Sequence, residues 1–441
     1  MIINQNILEE TIVNKCNHNF DYLRPLKAAH LKSWYDKPFE CRKDLQVFHY
    51  ENATILPLKR FSEDNVMFGR GGVLDSNGKY IEISAIEARV QGAYRVEDVD
   101  KQDKKVVYCG YLVNQWGHFL VEGVARLWYY LKSDDTIDKY VFFIDENETR
   151  DIKGNYKEFL ELLGVWDKTE IINKPTQYRE VVIPELSRKR RIYYSQEYND
   201  TFEAVAKNIS INPQWSKADK VFMTRSGLAK ARKFEFGLEM LDSFFENNGY
   251  KIISPEKTPL SELIYYIRNA NDCASIAGSA SHNMLFAKAN QKFIIMEKIS
   301  INDDDQPDIN RLKDFDSVNI DSEIAVYPTN FTGPCIFAYD GLFKKYSQDN
   351  QMLPPDKKYC TKRYINHCFK QYYKTYIQEY GYGWYMADWY YKYHHIEYIH
   401  EAYEDSLNYY SEYIFRKKPI FIYQIFQWHY IKQRVKSLLT K

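Results

Sequence analysis

Lys220-Val-Phe-Met-Thr-Arg-Ser-Gly227, Tyr250-Lys-Ile-Ile253, Cys273-Ala-Ser-Ile-Ala-Gly-Ser-Ala-Ser-His-Asn283 and Lys292-Phe-Ile-Ile-Met-Glu297 belong to one stretch whose reading decides the fold. Each opens on a short apolar run of strand length, and helical patterns fill the gaps at roughly 230–247, 259–269 and 281–288, the second with Pro259 at its first turn. Strands alternating with helices at this spacing imply a parallel sheet with right-handed crossovers. Ligands of such sheets sit at the carboxyl ends of the strands, and Arg225 and Gly278 each fall just past one. The small residues Gly278, Ser279, Ala280, Ser281, His282 and Asn283 form a turn whose backbone N–H groups can approach a phosphate closely.

Working outward, a second α/β block precedes this one. Short β runs occupy 46–107, with the Asp75-Ser-Asn-Gly78 turn signal between two of them. A helix is expected from His118, with Leu120, Val124, Leu127 and Leu131 at helical spacing. Strand 139–145, helix 154–164, strands near 169–172 and 180–184, and a helix around 200–209 complete the block. Two such blocks in tandem suggest two facing Rossmann-like domains. The boundaries expected are a helical segment over 1–45, α/β blocks over 46–210 and 211–330, and a tyrosine-rich helical region over 331–441.

Composition narrows the function classes. Lys+Arg and Asp+Glu balance at 60 each in 441 residues, which argues against a polyanion such as nucleic acid as the main partner. Residues 1–15 carry Glu9 and Glu10 and lack the apolar core of a signal peptide, and no run reaches the ~18 apolar residues of a spanning helix. The seven cysteines are dispersed without metal-ligand spacing. Together these lead to the expectation of a cytoplasmic protein with reduced thiols. Tyr is abundant, with 39 residues, and its density rises after residue 358. The basic, aromatic C-terminal end suggests core packing, glycan binding or peripheral contact with a membrane surface. His394 and His395, adjacent on a helix, make a poor metal pair.

A further motif lies upstream, Asn114-Gln-Trp-Gly-His118-Phe-Leu-Val-Glu122, continuing to Arg126-Leu127. With Thr224-Arg-Ser-Gly227, Arg232, Gly249-Tyr-Lys-Ile-Ile253 and Gly278 through Asn283, it resembles the ordered signatures of glycosyltransferase family 61 over about 46–300. The resemblance implies a GT-B-like enzyme of two Rossmann-like domains facing a cleft, inverting at the anomeric carbon. It implies a nucleotide-sugar donor as co-substrate, no cofactor and no obligatory metal. The acceptor would be a polysaccharide or lipid-linked glycan, as in the family's bacterial surface-polysaccharide branch. A polysaccharide pyruvyltransferase and a degenerate, non-catalytic assembly partner are the alternatives. The chain departs from the family pattern where an Asn-Glu pair is usual, at Phe236 and Gly237, although Glu239 matches a later acidic position. It departs again at Ala277, where a histidine is common.

An inverting transfer needs a base for the acceptor hydroxyl. His118 is the candidate, with Glu122 one turn on as its orienter or as an acceptor ligand; the reversed assignment stays open, as does a local cap pair. Asn114 and Trp116 fall on the acceptor side. Arg225 and Arg232 are candidates for the donor pyrophosphate, where cationic side chains stabilise a leaving diphosphate. The 278–283 turn is assigned to the donor, and Glu297 to a ribose hydroxyl or to an ordinary strand end. Arg126 reads as structural, through an ion pair with Glu122. Asp303–Asp305, Lys104–Lys105 and Arg188–Arg191 read as solvated.

Overall fold

The computed structural model describes residues 17–38, 40–61, 69–86, 90–133, 136–298, 305–324 and 334–380. Among them, two six-stranded sheets carry the architecture. Their strands, in chain order, are β1 (His18–Tyr22), β2 (Val47–Lys59), β3 (Arg70–Leu74), β4 (Asp100–Tyr111), β5 (Lys139–Phe143), β6 (Thr169–Ile172), β7 (Thr176–Pro184), β8 (Lys220–Met223), β9 (Lys251–Ile253), β10 (Asp272–Ile276), β11 (Lys292–Glu297) and β12 (Asp316–Asp321). The helices that matter here are α1 (Pro25–Tyr35), α2 (Gly154–Leu163), α3 (Gln196–Lys207), α4 (Leu238–Asn247), α5 (Leu260–Asn269) and α6 (Asp305–Leu312).

The second sheet is parallel throughout, in the order β1-β12-β11-β10-β8-β9. Its central strands are buried on both faces, which is why β11 reads as a near-continuous apolar run instead of an alternating one. The first sheet, β3-β2-β7-β4-β5-β6, is mixed. β2 runs antiparallel to β3 and β7, whereas β7, β4, β5 and β6 are mutually parallel. The α/β expectation therefore holds for both blocks, with an antiparallel edge on the first.

Three local differences follow from tertiary contacts that periodicity does not register. His18–Tyr22 lies in the segment read as helical but pairs with β12 as an edge strand of the parallel sheet. The helix expected over 230–247 is interrupted by a two-residue strand, Glu235–Phe236, which pairs with Cys335–Phe337. Gly237 follows with φ 93°, and a Cβ there would sit 2.2 Å from the Phe337 carbonyl oxygen. Only glycine fits that position. The helix expected over 281–288 is a six-residue 3-10 turn, Ser281–Phe286.

One apolar core joins the two sheets. Phe119 and Phe159 from the first block and Val221, Phe286 and Ile295 from the second share a single buried cluster. Its aromatic members stack edge to face: Phe119–Phe159 at 5.4 Å, Phe159–Phe202 at 5.8 Å and Phe202–Phe286 at 5.2 Å. Such pairs add about 0.5–1.5 kcal/mol each beyond area burial. Glu158 of α2 also caps α5, accepting from the amides of Leu260 and Ser261 at 2.8 Å each.

Of the C-terminal region, helices Gly341–Asp349 and Lys362–Tyr380 are described. The expectations for the tail beyond 380, including His394 and His395, lie outside the described residues, as do residues 1–16 and Asp303 and Asp304. No helix among the described residues is long and apolar enough to cross a membrane.

Candidate active site

The upstream motif and the small-residue turn meet directly. Trp116 donates its indole N–H to Asn283 Oδ1 at 2.8 Å, and Gln115 Nε2 donates to Ser279 Oγ at 3.1 Å. Between them, Gly117 is packed so closely that a Cβ would come within 2.5 Å of Ser279 Oγ and 3.0 Å of His282 Nδ1. Glycine at 117 is thus required by the approach of the second motif to the first. Trp116 is held by stacking on Phe119 and by an edge contact with Tyr156. Asn114 remains exposed.

His118 ends a single helical turn, Trp116–His118, which runs into a π-helical turn over Phe119–Gly123 and a 3-10 turn over Leu127–Leu131. Its Nδ1 lies 3.3 Å from Glu122 Oε1. The histidine side chain is 30% exposed and the glutamate side chain 4%, so the pair has one partner near solvent and one anchored in the core. Arg126 is structural, though not through Glu122. Its guanidinium is buried and donates to the carbonyls of Pro184 (3.0 Å), Ile83 (2.7 Å) and Ala85 (3.4 Å), with Tyr108 stacked against it.

Within the turn, several side chains are committed to holding its shape. Ser281 donates to the Gly278 carbonyl at 2.7 Å, and Asn283 donates to that of Ala280 at 3.0 Å while accepting from Trp116. His282 and Ala280 are buried. Gly278, with φ 110°, faces open space where a Cβ would be.

At the same sheet edge, Met223 is paired with Ser275, which brings Arg225 beside the start of the turn. Arg225 Nε donates to Glu235 Oε2 at 2.9 Å and Oε1 at 3.2 Å, and Lys298 Nζ donates to the same Oε1 at 2.6 Å. The Nη groups of Arg225 make no hydrogen bond to the described residues. Burial alone would raise the Glu235 carboxyl, but Lys298 and then Arg225 outweigh it and hold it down to about 2. One carboxylate between two cations leaves the cluster net positive.

Glu297 and Lys298 end the same strand and are held by different partners. Glu297 accepts from Asn319 Nδ2 at 2.6 Å and pairs with Lys27 of α1 at 3.1 Å. Burial raises its carboxyl above the ordinary range, against the opposing pull of Lys27. Arg232 belongs to the short helix Ala231–Phe234, but its side chain lies outside the described part.

Sequence reasoning missed Glu235, Lys298 and Lys27, and the solvated readings of Arg188–Arg191 and Asp303–Asp305 are corrected at Arg188 and at Asp305. Arg188 is fully buried, donating to the Val121 carbonyl and the Tyr194 hydroxyl and pairing with Asp305, itself buried. A buried charge requires such partners, and they are remote in sequence. Lys104 and Lys105 stay partly exposed, as the solvated reading expects, and pair with Glu170 (3.0 Å) and Glu180 (3.3 Å).

Residues 116–294 match the family model described as Glycosyltransferase 61. The match spans less than half of the chain, and over that stretch the chain is similar to this family. The similarity supports a glycosyltransferase, an enzyme of a nucleotide-sugar donor and a glycan acceptor. No curated protein matches the chain. The glycosyltransferase 61 match takes in Trp116, His118, Glu122, Arg225 and the whole 278–283 turn. α1, α6 and β12 lie outside it.

Proposed function

We propose that the protein is an inverting, metal-independent glycosyltransferase that moves a sugar from a nucleotide-sugar donor to a polysaccharide or lipid-linked glycan in surface-polysaccharide biosynthesis. The observation that carries this reading is the direct junction of Gln115-Trp-Gly117 with Ser279, His282 and Asn283. It brings a histidine–carboxylate pair beside a glycine turn suited to phosphate, at the carboxyl edge of a parallel sheet.

In the proposed reaction Glu122 holds His118 Nδ1, which favours the tautomer whose lone pair is on Nε2. The acceptor hydroxyl gives its proton to that nitrogen as its oxygen attacks the anomeric carbon. The bond from that carbon to the diphosphate oxygen breaks, and the nucleoside diphosphate leaves with the electron pair. Charge developing on the leaving group is met by the amides around Gly278 and by Arg225 and Lys298, pre-positioned on Glu235. In this account 46–210 serves the acceptor side and 211–330 the donor side of a GT-B-like arrangement working at the cytoplasmic face of a membrane.

The test is transfer by His118→Ala. Turnover should be lost while donor binding, read by calorimetry, survives; near-normal turnover refutes the assignment of the base.

A further inference from the structure

The proposed reaction gives Arg188 no task, yet this arginine is buried against the backbone that carries Glu122. That backbone is irregular. Val124 N–H reaches back five residues to the Phe119 carbonyl at 3.1 Å, and Ala125 N–H only three, to the Glu122 carbonyl at 3.2 Å. The ladder thereby steps past the carbonyls of Leu120 and Val121, in a segment buried throughout. A polar backbone group without a partner is costly in such surroundings. π-helical turns of this kind occur frequently at functional sites.

Side chains remote in sequence take the two carbonyls. Tyr198 of α3 donates its hydroxyl to the Leu120 carbonyl at 2.8 Å, and Arg188 Nη1 donates to that of Val121 at 2.5 Å. Further along, Ser187 donates both its amide and its hydroxyl to the Ala125 carbonyl, at 2.8 Å each. The guanidinium is held on its other edges too. Its Nε donates to the Tyr194 hydroxyl at 2.7 Å, and its Nη2 pairs with Asp305, the first residue of α6. A planar fork fixed in three directions is something a lysine cannot reproduce. The Val121 carbonyl shares one rigid peptide plane with the Glu122 nitrogen, so holding the first orients the second. The Glu122 carboxylate then stands 3.3 Å from His118 Nδ1.

We propose that Arg188 and Tyr198 are positioning residues for the reaction: by holding the π turn over Phe119–Gly123, they aim the Glu122 carboxylate at His118. The inference rests on the histidine-base reading above. It ties that pair to α6 through Asp305, which lies outside the segment matched by the family model. A regular helix would present Glu122 through its own ladder. This one depends on donors from two other elements, so the direction of the carboxylate depends on them as well.

The test reads the Glu122–His118 contact itself, by magnetic resonance of the full chain isotopically labelled at its histidine ring nitrogens. The His118 signals are those lost in His118→Gln, and Glu122→Gln shows how they move when the carboxylate is removed. Tyr198→Phe keeps the ring against Tyr194 and Phe202 and removes only the hydroxyl; Arg188→Lys keeps a charge beside Asp305. Both variants should move the His118 signals in the direction set by Glu122→Gln, toward the other ring tautomer. Both should also lower kcat about tenfold with the donor KM little changed, on whichever of a panel of UDP-, GDP- and CMP-linked sugars is turned over. Unmoved His118 signals in folded Tyr198→Phe overturn the positioning role, and so do moved signals with an unchanged kcat. Tyr198→Phe decides alone where Arg188→Lys fails to fold. If Glu122→Gln itself leaves the His118 signals in place, or His118→Gln turns over normally, the histidine-base reading falls and this inference with it.

Discussion

The two regions that meet at Gly117 are built to opposite specifications. On the first-block side, His118 is partly exposed and bound to Glu122 by a contact of 3.3 Å, within an irregular run of helical turns. On the second-block side, Arg225 and Lys298 grip a buried carboxylate at 2.9 and 2.6 Å at the end of a fully parallel sheet. The difference teaches what each part must do. A group that exchanges a proton with an incoming acceptor has to be reachable, with its partner orienting it. A group that stabilises charge has to be in place beforehand, because reorganisation at the moment of reaction would cancel its benefit.

The comparison breaks most visibly at His118. Replacement by Gln keeps the size and some hydrogen bonding but removes the base, so turnover should fall by ~10²- to 10⁴-fold in a transfer assay with donor affinity little changed. A comparable loss of donor affinity would place His118 on the charge-stabilising side instead.

Glu235 tests the other half through stability. Its carboxyl is held down to about 2 in the folded protein against an ordinary 4.5. A depressed carboxylate contributes stability that is fully present above about 4.5 and lost as pH falls through about 2. That difference is worth on the order of 3 kcal/mol. Glu235→Gln should therefore be less stable in denaturant titrations at neutral pH, and should show a shallower loss of stability between pH 4.5 and 2. An unaltered acid profile would mean that the ion cluster is not what fixes this edge.

Arg225→Ala is a smaller perturbation, since Lys298 still holds Glu235. Donor affinity should weaken by roughly 10-fold, the value of a charge-assisted hydrogen bond, and Lys should restore little because an ammonium cannot grip Glu235 and present a planar fork together. Full rescue by Arg225→Lys would reduce the residue to a point charge.

Much of this was legible in the chain because it is local. β11 is Lys292–Glu297 as its apolar run indicates, and β10 and the Gly278 turn follow from short-range pattern, whereas the helix expected from His118 is a run of short irregular turns. What was illegible depends on residues distant in sequence. Nothing near Glu235 reveals that Lys298 will reach it, nothing near Glu297 reveals Lys27, and Arg188 looks like part of a solvated basic run until Asp305 and Val121 surround it. The break at Gly237 likewise comes from the Phe337 carbonyl, a hundred residues on. The resemblance supplied the two motifs; their contact through Trp116 and Asn283 comes from the fold.

That contact is the central claim, that two separated motifs form one active site. A double-mutant cycle on kcat/KM with Trp116→Phe, which removes the indole donor, and Asn283→Ala measures it most directly. The account predicts that the double variant loses less than the sum of the single losses, by about 1 kcal/mol or more, because both remove the same interaction. Additivity within roughly 0.3–0.5 kcal/mol would contradict it and separate the two motifs functionally.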